Sequence, residues 1–445
     1  MEMERVTRYL NCIGTVETAT IDTEATGIMT LHLIPMRMGK REEGCILILN
    51  GSEMVKLEPA TTVMMALFIR EINKHAGKRA ELEEADWEKI ENETCNKMSE
   101  IFSCQDTQSL RETLNEFVLH LSKIAGGYAK YTPVVLEEYW EKMAGPIQMD
   151  LMVSSAKNKT KRNCNQRCEQ CSWGKGTLEE VSGLPTDSWK KIIKKLWNEA
   201  KVSQLNFIGG GEPTMREDLP ELIKFAKNFI TCLETNGIKL ADKDYCTELK
   251  KAELNLVKVT LYSDDAEIHN KIVGTKGAFE QTVRGIENAL SVGMNVTVKI
   301  PVQDESEKYK NTLEFLHRLG VTSVECIAAT DERGYVEYVR TLEAATVFCK
   351  KKKMNFYFSV PGKVPESLLS RLGLEVPLCG ACLFNMAIAP NGSVIPCAKW
   401  NNMDATIRNI LYSDWNGIWL SEKTKIIRRD VAQNSNICRI NQYYI

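Results

Sequence analysis

Cys164, Cys168 and Cys171 stand in the run Cys164-Asn165-Gln166-Arg167-Cys168-Glu169-Gln170-Cys171, three thiols separated first by three residues and then by two. Three thiolates on one short loop can hold three irons of a 4Fe-4S cube and leave the fourth open to a small ligand, an arrangement for catalysis rather than for storage. With 15 cysteines in 445 residues the spacing is reachable by chance, so its surroundings have to decide. Downstream, the short apolar strand Leu205-Asn206-Phe207-Ile208 runs into Gly209-Gly210-Gly211-Glu212-Pro213-Thr214. The glycines let the backbone pass close to a ligand and bare its amides, and Glu212 at the strand end can grip an ammonium group. A zwitterionic amino acid suits such a turn.

A second cysteine group lies toward the end of the chain: Cys379-Gly380-Ala381-Cys382, then Gly392 and Cys397, with Cys438 more remote. The run from Ala389 to Cys397 reads as a hairpin that delivers the Cys397 thiolate. Four cysteines suit either a further iron–sulfur cluster or a structural zinc. Iron content separates the two, at about eight irons per chain for two clusters and about four for one.

The pairing of CNxxCxxC with GGGEPT resembles the radical S-adenosylmethionine (SAM) enzymes, whose open iron binds the amine and carboxylate of SAM. The resemblance implies a SAM-binding 4Fe-4S cluster on Cys164, Cys168 and Cys171, and SAM itself as cofactor. It places cofactor contacts at Gly209, Gly210, Gly211, Glu212 and Pro213, at Thr235 and Asn236 closing the third strand, and at Ser263 and Asp264 closing the fourth. A turn at Asn236-Gly237 and a helix cap at Asp264 are the structural alternatives. The run from His269 to Phe279 (HNKIVGTKGAF) resembles the segment after the fourth strand of peptide-modifying members, with Val273 where an arginine is usual; His269 reads as structural. Gln170 stands where the family has an aromatic packing on adenine, and Trp173 is the substitute on the other side of Cys171. The late cysteines resemble the start of the SPASM domain, most of whose further cysteines are missing. That points to its shorter relative, twitch, with an auxiliary 4Fe-4S cluster on Cys379, Cys382, Cys397 and Cys438. Cys326, like Cys232, falls on an expected barrel strand, where a thiol facing the cavity can donate a hydrogen atom to a substrate radical; packing is the alternative.

These groups need strands and helices to position them. From residue 146 to 340 the two patterns alternate, with strands at Gln148 to Val153, Leu205 to Ile208, Phe229 to Leu233, Leu256 to Tyr262, Asn295 to Val302 and Ser323 to Ala328. Parallel strands joined by helical crossovers follow, an α/β fold forming a partial (β/α)6 barrel. Ligands sit at the carboxyl ends of such strands, where the cysteine loop and GGGEPT both fall. Residues 341–445 are expected to form the C-terminal auxiliary cluster domain. Residues 1–145 read as an N-terminal α+β domain, with a strand at Ile28 to Ile34 and a hairpin of Cys45 to Leu49 with Met54 to Leu57 around Asn50-Gly51. A helix capped by Thr61 or Thr62 carries Val63, Met64, Leu67, Phe68 and Ile72, and another carries Leu110, Leu114, Phe117, Val118, Leu121 and Ile124. A small sheet followed by helices looks like the winged-helix recognition elements of ribosomally made peptides, which take up a leader peptide as an added strand. A plain structural extension is the alternative.

A net charge of -2 gives no general attraction to phosphate backbones, so nucleic acid is not an expected partner. The local basic run Lys157, Lys159, Lys161, Arg162 and Arg167 is either a solvated loop or a docking patch for an acidic electron donor such as flavodoxin or ferredoxin. No apolar run approaches the roughly 20 residues a membrane helix needs, and the first residues lack a signal-peptide core, so a cytoplasmic protein without a membrane partner is expected. The resemblance as a whole implies a peptide maturase acting on a precursor peptide with a leader. Its alternatives are an enzyme acting on a small molecule or a protein side chain, and a metal-binding scaffold without turnover.

Overall fold

The computed structural model describes residues 2–13, 17–23, 27–37, 41–49, 53–76, 84–104, 106–125, 141–155, 163–168, 171, 183–301, 306–327, 335–359, 379–400 and 403–433. The chain divides into two compact units, Met1–Gly145 with Trp197–Ser203, and Pro146–Leu196 with Gln204–Ile445.

In the first unit β1 (Glu17–Thr23), β2 (Gly27–Ile34), β3 (Cys45–Leu49) and β4 (Glu53–Leu57) pair in that order as an antiparallel sheet. Period-two alternation sends Ala19, Ile21, Leu31, Leu33, Leu47, Leu49, Val55 and Leu57 into one core. There they meet Val63, Met64, Leu67, Phe68 and Ile72 of α2 (Pro59–Ala76) and Leu114, Leu121 and Ile124 of α4 (Thr107–Ala125). Three elements are additional to the expected set: α1 (Glu2–Cys12), β1 and α3 (Glu84–Phe102). Neither Thr61 nor Thr62 caps α2, which already begins at Pro59. The Thr62 hydroxyl instead donates to Leu57 O and accepts from Cys45 N, tying the helix to two strands. The Asn50-Gly51 turn lies outside the described residues.

In the second unit the six expected strands are all present: β5 (Gln148–Ser154), β6 (Gln204–Gly209), β7 (Ile230–Thr235), β8 (Leu256–Thr260), β9 (Asn295–Pro301) and β10 (Ser323–Ile327). They pair in parallel in sequence order. The helices between them are α5 (Thr186–Lys195), α6 (Leu219–Phe225), α7 (Lys243–Lys251), α8 (Ala266–Val273), α9 (Ala278–Ser291) and α10 (Ser306–Arg318). After α11 (Tyr335–Lys352), a seventh parallel strand, β11 (Asn355–Ser359), joins β10. It lies beyond residue 340, so the parallel sheet runs past the expected end of the barrel segment. At the other edge β12 (Asn385–Ile388) pairs in parallel with β5 and is followed antiparallel by β13 (Ser393–Ile395) and β14 (Arg408–Asn409). The described residues end with α12 (Trp415–Trp419) and α13 (Glu422–Gln433).

The two faces of the parallel sheet differ. Leu151, Leu205, Phe207, Leu233, Val257, Val259, Val296, Val298, Ile300 and Val324 lie on one face and are fully or almost fully buried. The alternate positions carry Asp150, Asn206, Cys232, Glu234, Lys258, Lys299 and Glu325. A parallel strand covered by helices on both sides is apolar throughout, so this alternation means that helices cover one face only. Cys326 belongs to the apolar, helix-facing side: it is buried and hydrogen-bonded to the Tyr309 hydroxyl of α10, and burial pushes its thiol up. The expectation that Cys326 meets a substrate radical in the cavity is therefore corrected. Strand parity sends it the other way, and Cys232 is the strand thiol on the polar face.

Candidate active site

Four consecutive strand ends carry the groups picked out in the sequence. The cysteine loop follows β5, GGGEPT follows β6, Thr235-Asn236 ends β7, and Ser263-Asp264 follows β8. Gly210 N donates to Ser154 O at 2.8 Å and Glu212 N to Asn163 O at 2.8 Å, which lashes the glycine turn to both ends of the loop's first part. The approach explains two glycines. A Cβ on Gly209 would lie 2.1 Å from Ser154 Oγ, and one on Gly211 would lie 2.2 Å from Asn163 O, both inside contact distance.

Glu212 has a different task from the expected one. It is buried, and its Oε1 accepts from Thr214 N (3.1 Å), Thr214 Oγ1 (2.7 Å) and Thr235 Oγ1 (2.6 Å), while Oε2 accepts from Asn236 N (2.9 Å). Burial pushes its carboxyl up, and these donors oppose the shift. Four donors from its own chain make Glu212 a bracket between the ends of β6 and β7, rather than a carboxylate waiting for an ammonium group. Asn236 carries the bracket on to the cluster loop, its Nδ2 donating to Asn165 Oδ1 at 2.6 Å.

The HNKIVGTKGAF segment supplies the third hold. Arg167 N donates to Val273 O at 2.8 Å, and Gly274, at φ +60, lies where an added Cβ would be 2.6 Å from Arg167 O. Val273 and Gly274 thus end α8 and clamp the cysteine loop at once. His269 is fully buried; its Nδ1 accepts from Tyr262 N (3.3 Å), and its ring packs edge-on against Tyr262 and Phe279. Burial lowers its pKa to about 4, so it is a neutral structural residue. Asp264 exchanges hydrogen bonds with the Thr312 hydroxyl, and Ser263 Oγ accepts from Asp265 N. The helix cap belongs to Asp265, which accepts from Glu267 N and Ile268 N, and not to Asp264.

The thiols fit a polycationic iron centre. Burial holds Cys164 above its ordinary range, and the negative charges of Glu212 and Cys171 push the same way. Three thiolates crowded without a cation would re-protonate, whereas metal displaces those protons. Two buried polar atoms beside them have no partner among the described residues: Ser154 Oγ against the glycine turn, and Gln166 Nε2, whose Oε1 faces Cys168 Sγ at 3.7 Å. A cavity of about 230 Å³ opens here between Ser154, Ser155, Asn163, Gly183 and Arg216. The sequence reading missed one contributor, Arg216, and gave two others, Asn165 and Tyr262, no task of their own. Asn165, the asparagine of CNxxCxxC, accepts from Asn236 Nδ2. Arg216, just past GGGEPT, donates to Val153 O and Leu184 O. Tyr262 lies near enough to Cys168 and Cys171 that their charges, after burial, raise its pKa. Gln170, Trp173 and the basic run from Lys157 to Arg162 lie outside the described residues.

In the second cysteine group Cys382 is buried, and Cys379 and Cys397 are half-exposed. Cys382 is buried at φ +57, and its N–H is shared between Asn385 O (3.0 Å) and Pro396 O (3.2 Å). The expected hairpin is β12–β13, turning at Gly392 (φ +86), and it brings Cys397 back toward Cys382. Burial pushes the Cys382 thiol up, Arg428 opposes this, and Cys397 and Cys379 add to it. Arg428, 1% exposed, donates through Nε to Cys382 O (2.7 Å) and through Nη2 to Trp419 O (3.0 Å), and its guanidinium lies 3.7 Å from the Trp419 ring centre. A fixed cation beside mutually repelling thiols suits an anionic cluster. Among the described residues no three of His, Cys, Asp and Glu gather as the ligands of one ion, although the thiols within each group feel one another's charge. Cys438 lies outside the described residues.

Known proteins match in the same places. The sequence pattern of the Radical SAM superfamily covers residues 158–316, and that of the SPASM iron–sulfur cluster-binding domain covers residues 379–440. The chain is 34% identical over 147 residues to Fe-coproporphyrin III synthase of Methanosarcina barkeri, a match covering 33% of this chain and 36% of the relative. It is 32% identical over 163 residues to the probable GTP 3',8-cyclase of Methanopyrus kandleri, covering 36% and 52%. The matches thus span about a third to a half of the length of these relatives. Among solved structures, Streptococcus suis SuiB bound to precursor peptide SuiA shares the fold with TM-score 0.59 at 14% identity, covering 92% of this chain and 94% of that one. The protein anSMEcpe with bound AdoMet has TM-score 0.50 at 17% identity, covering 64% and 84%. Among the described residues, no helix is long and apolar enough to cross a membrane.

Proposed function

This chain carries a radical SAM domain and a SPASM-type iron–sulfur domain, with the 4Fe-4S clusters and SAM that those domains imply, and from that premise we propose that it matures a ribosomally made precursor peptide. Cys164, Cys168 and Cys171 would hold the 4Fe-4S cluster, which with SAM and one electron from a reductant would supply a 5′-deoxyadenosyl radical, with release of methionine, for removing hydrogen from a carbon of the peptide and so starting a crosslink or residue modification. The chain's part is placement. Glu212 and Asn236, past two strand ends, and Val273, at the end of α8, hold the cysteine loop; the Gly209–Gly211 backbone and Ser154 Oγ would receive the methionyl part of SAM, and Ser263 and Asp264 would lie near its ribose or methionyl part. Cys379, Cys382 and Cys397, with Cys438, hold the auxiliary cluster. The N-terminal sheet takes the leader, and an acidic protein such as flavodoxin or ferredoxin supplies the electron.

The observation that carries the peptide reading is the extent of the fold shared with SuiB, which includes the N-terminal unit as well as the barrel and cysteine hairpin. A second reading, a small-molecule substrate, draws on the curated relatives, whose matches cover only about a third of this chain. Anaerobic reconstitution with SAM and a reductant should give 5′-deoxyadenosine, and its absence would remove both readings. Coexpression with short reading frames from the same locus then separates them. A peptide that loses hydrogen in mass spectra supports maturation, and peptides that return unmodified from an enzyme active on SAM leave the small-molecule reading.

A further inference from the structure

Among the described residues Arg428 is the only lysine or arginine that is buried. It stands on the inward stripe of α13 with Thr424 and Val431, at a helical spacing where an apolar side chain is the rule, while Arg429 beside it is exposed. Its guanidinium lies over the Trp419 ring, and Trp415 stacks on Trp419 with ring centres 6.3 Å apart, both indoles being buried. Taking a guanidinium out of water is costly, and an apolar residue of similar volume would serve stability as well, so it is the charge that needs a reason.

The charge is fixed in place. Nε donates to Cys382 O (2.7 Å) and Nη2 to Trp419 O (3.0 Å), which pins the guanidinium to one cysteine of the second site. Cys382 is the buried thiol of its group, the one that water screens least, so a cation held beside it acts through a medium that weakens its field little. Burial pushes the Cys382 thiol up; of the two cations that oppose this, Arg428 counts for more and Lys423 for less. Lys423, also on α13, is exposed and donates to Asp404 O and Thr406 O, where water screens it.

We propose that Arg428 sets the reduction potential of the auxiliary cluster, its fixed positive charge favouring the reduced and more negative state. The proposal rests on the reading that Cys382 is a ligand of that cluster, and it adds what the chain does to the cluster once bound. Reduction brings in one electron and makes or breaks no bond, so the cluster becomes more negative by one charge. A cation already in place offsets that charge without a proton, and arginine keeps its own charge at any pH the protein meets.

The test uses the full reconstituted chain carrying Cys164→Ala, Cys168→Ala and Cys171→Ala, so that the second site alone holds iron, and follows the reduced cluster by electron paramagnetic resonance at a series of set potentials. Arg428→Gln removes the charge but keeps an N–H for Cys382 O. It should leave at least ~10-fold less reduced cluster at a given potential, a fall of about 59 mV for one electron. Arg428→Lys keeps the charge and should stay closer to the parent value, and Lys423→Gln, which removes the screened cation, should move the potential less than Arg428→Gln does. An unchanged potential in Arg428→Gln with about four irons per chain overturns the proposal. So does an equal fall in Arg428→Lys, which would make the role one of shape, or an equal fall in Lys423→Gln, which would make it one of overall charge. A parent protein with neither iron nor signal overturns the auxiliary-cluster reading itself, and the proposal with it. Should Arg428→Gln lose its iron, the parent decides: its potential should stay level from about pH 6 to about pH 9, and a fall approaching ~59 mV per pH unit would show that a proton and not Arg428 offsets the electron.

Discussion

Around Cys164, Cys168 and Cys171 the chain is held from outside, by Glu212 N on Asn163 O and Asn236 on Asn165, from two different strand-to-helix connections, and by Val273 O on Arg167 N, from the end of α8. Around Cys382 the holds come from within its own hairpin and from one buried cation, Arg428. The first group is half-exposed at every thiol; in the second, Cys379 and Cys397 are half-exposed too, but Cys382 is fully buried. A cluster that must offer an iron to a cofactor needs an open side, and its loop then depends on borrowed supports. A cluster with only an electron to pass can be closed in and can carry its own counter-charge. The two sites should accordingly fail in different ways.

The largest difference should appear on removing thiols. Cys164→Ala is expected to abolish 5′-deoxyadenosine formation altogether. Cys382→Ala should cut iron from about eight to about four per chain and still cleave SAM at a measurable rate, as read by iron analysis and chromatography. A Cys382→Ala protein with unchanged iron would dissolve the distinction, since Cys382 would then hold no cluster.

Next come the supports. Gly274→Ala adds a Cβ against Arg167 O at a positive φ, and Gly211→Ala adds one against Asn163 O. Each forces strain of about 1–3 kcal/mol or a shift of the loop, and SAM cleavage should fall by roughly tenfold or more with little loss of auxiliary iron. Gly392→Ala (φ +86) is the matched control, because its hairpin belongs to the second site. It should spare SAM cleavage and loosen auxiliary iron, and the reverse pattern would mean that the supports have been misassigned. Glu212→Gln should be milder. The amide keeps the size but exchanges an acceptor for a donor facing Thr235 or Asn236, at a cost of about 1–3 kcal/mol in local stability, seen as faster hydrogen exchange in residues 163–168.

How much of this was legible in the sequence depended on whether the signal was local. The six barrel strands and the β12–β13 hairpin carry their own apolar patterns and turn residues, and the sequence placed them to within a few residues. The seventh strand, Asn355–Ser359, was overlooked because NFYFS is short, follows a run of lysines and has no motif behind it. The orientation of Cys326 depends on strand parity. A single step in register turns a residue from the cavity to the helices, and only the pairing of Val324 with Val298 and Phe356 fixes the step. Glu212 was assigned to a ligand because its partners, Thr214, Thr235 and Asn236, converge only after β7 has been laid beside β6.

The smallest effect separates the sites by pH. His269, buried behind the first site, has its pKa lowered to about 4 by burial, against 6.5 when exposed. Above pH 6.5 it is neutral folded or unfolded and has no influence. As pH falls below that value the unfolded chain takes up a proton that the folded chain refuses, and by pH 5 this costs no more than about 2 kcal/mol. Protonating Nδ1 also breaks the bond from Tyr262 N, two residues from Asp264 at the same rim. Buried His32 should act in the same direction within the first unit, lowered to about 3, so a melting temperature alone does not isolate the effect. No histidine occurs after His317, and the second cysteine site therefore has no such lever. Hydrogen exchange followed from pH 7 to pH 5, corrected for intrinsic rates, should show residues 262–279 losing protection while residues 379–400 hold theirs. His269→Phe should flatten the first response if it folds. Equal loosening of both segments would mean that the cluster loop and the cysteine hairpin open as one body.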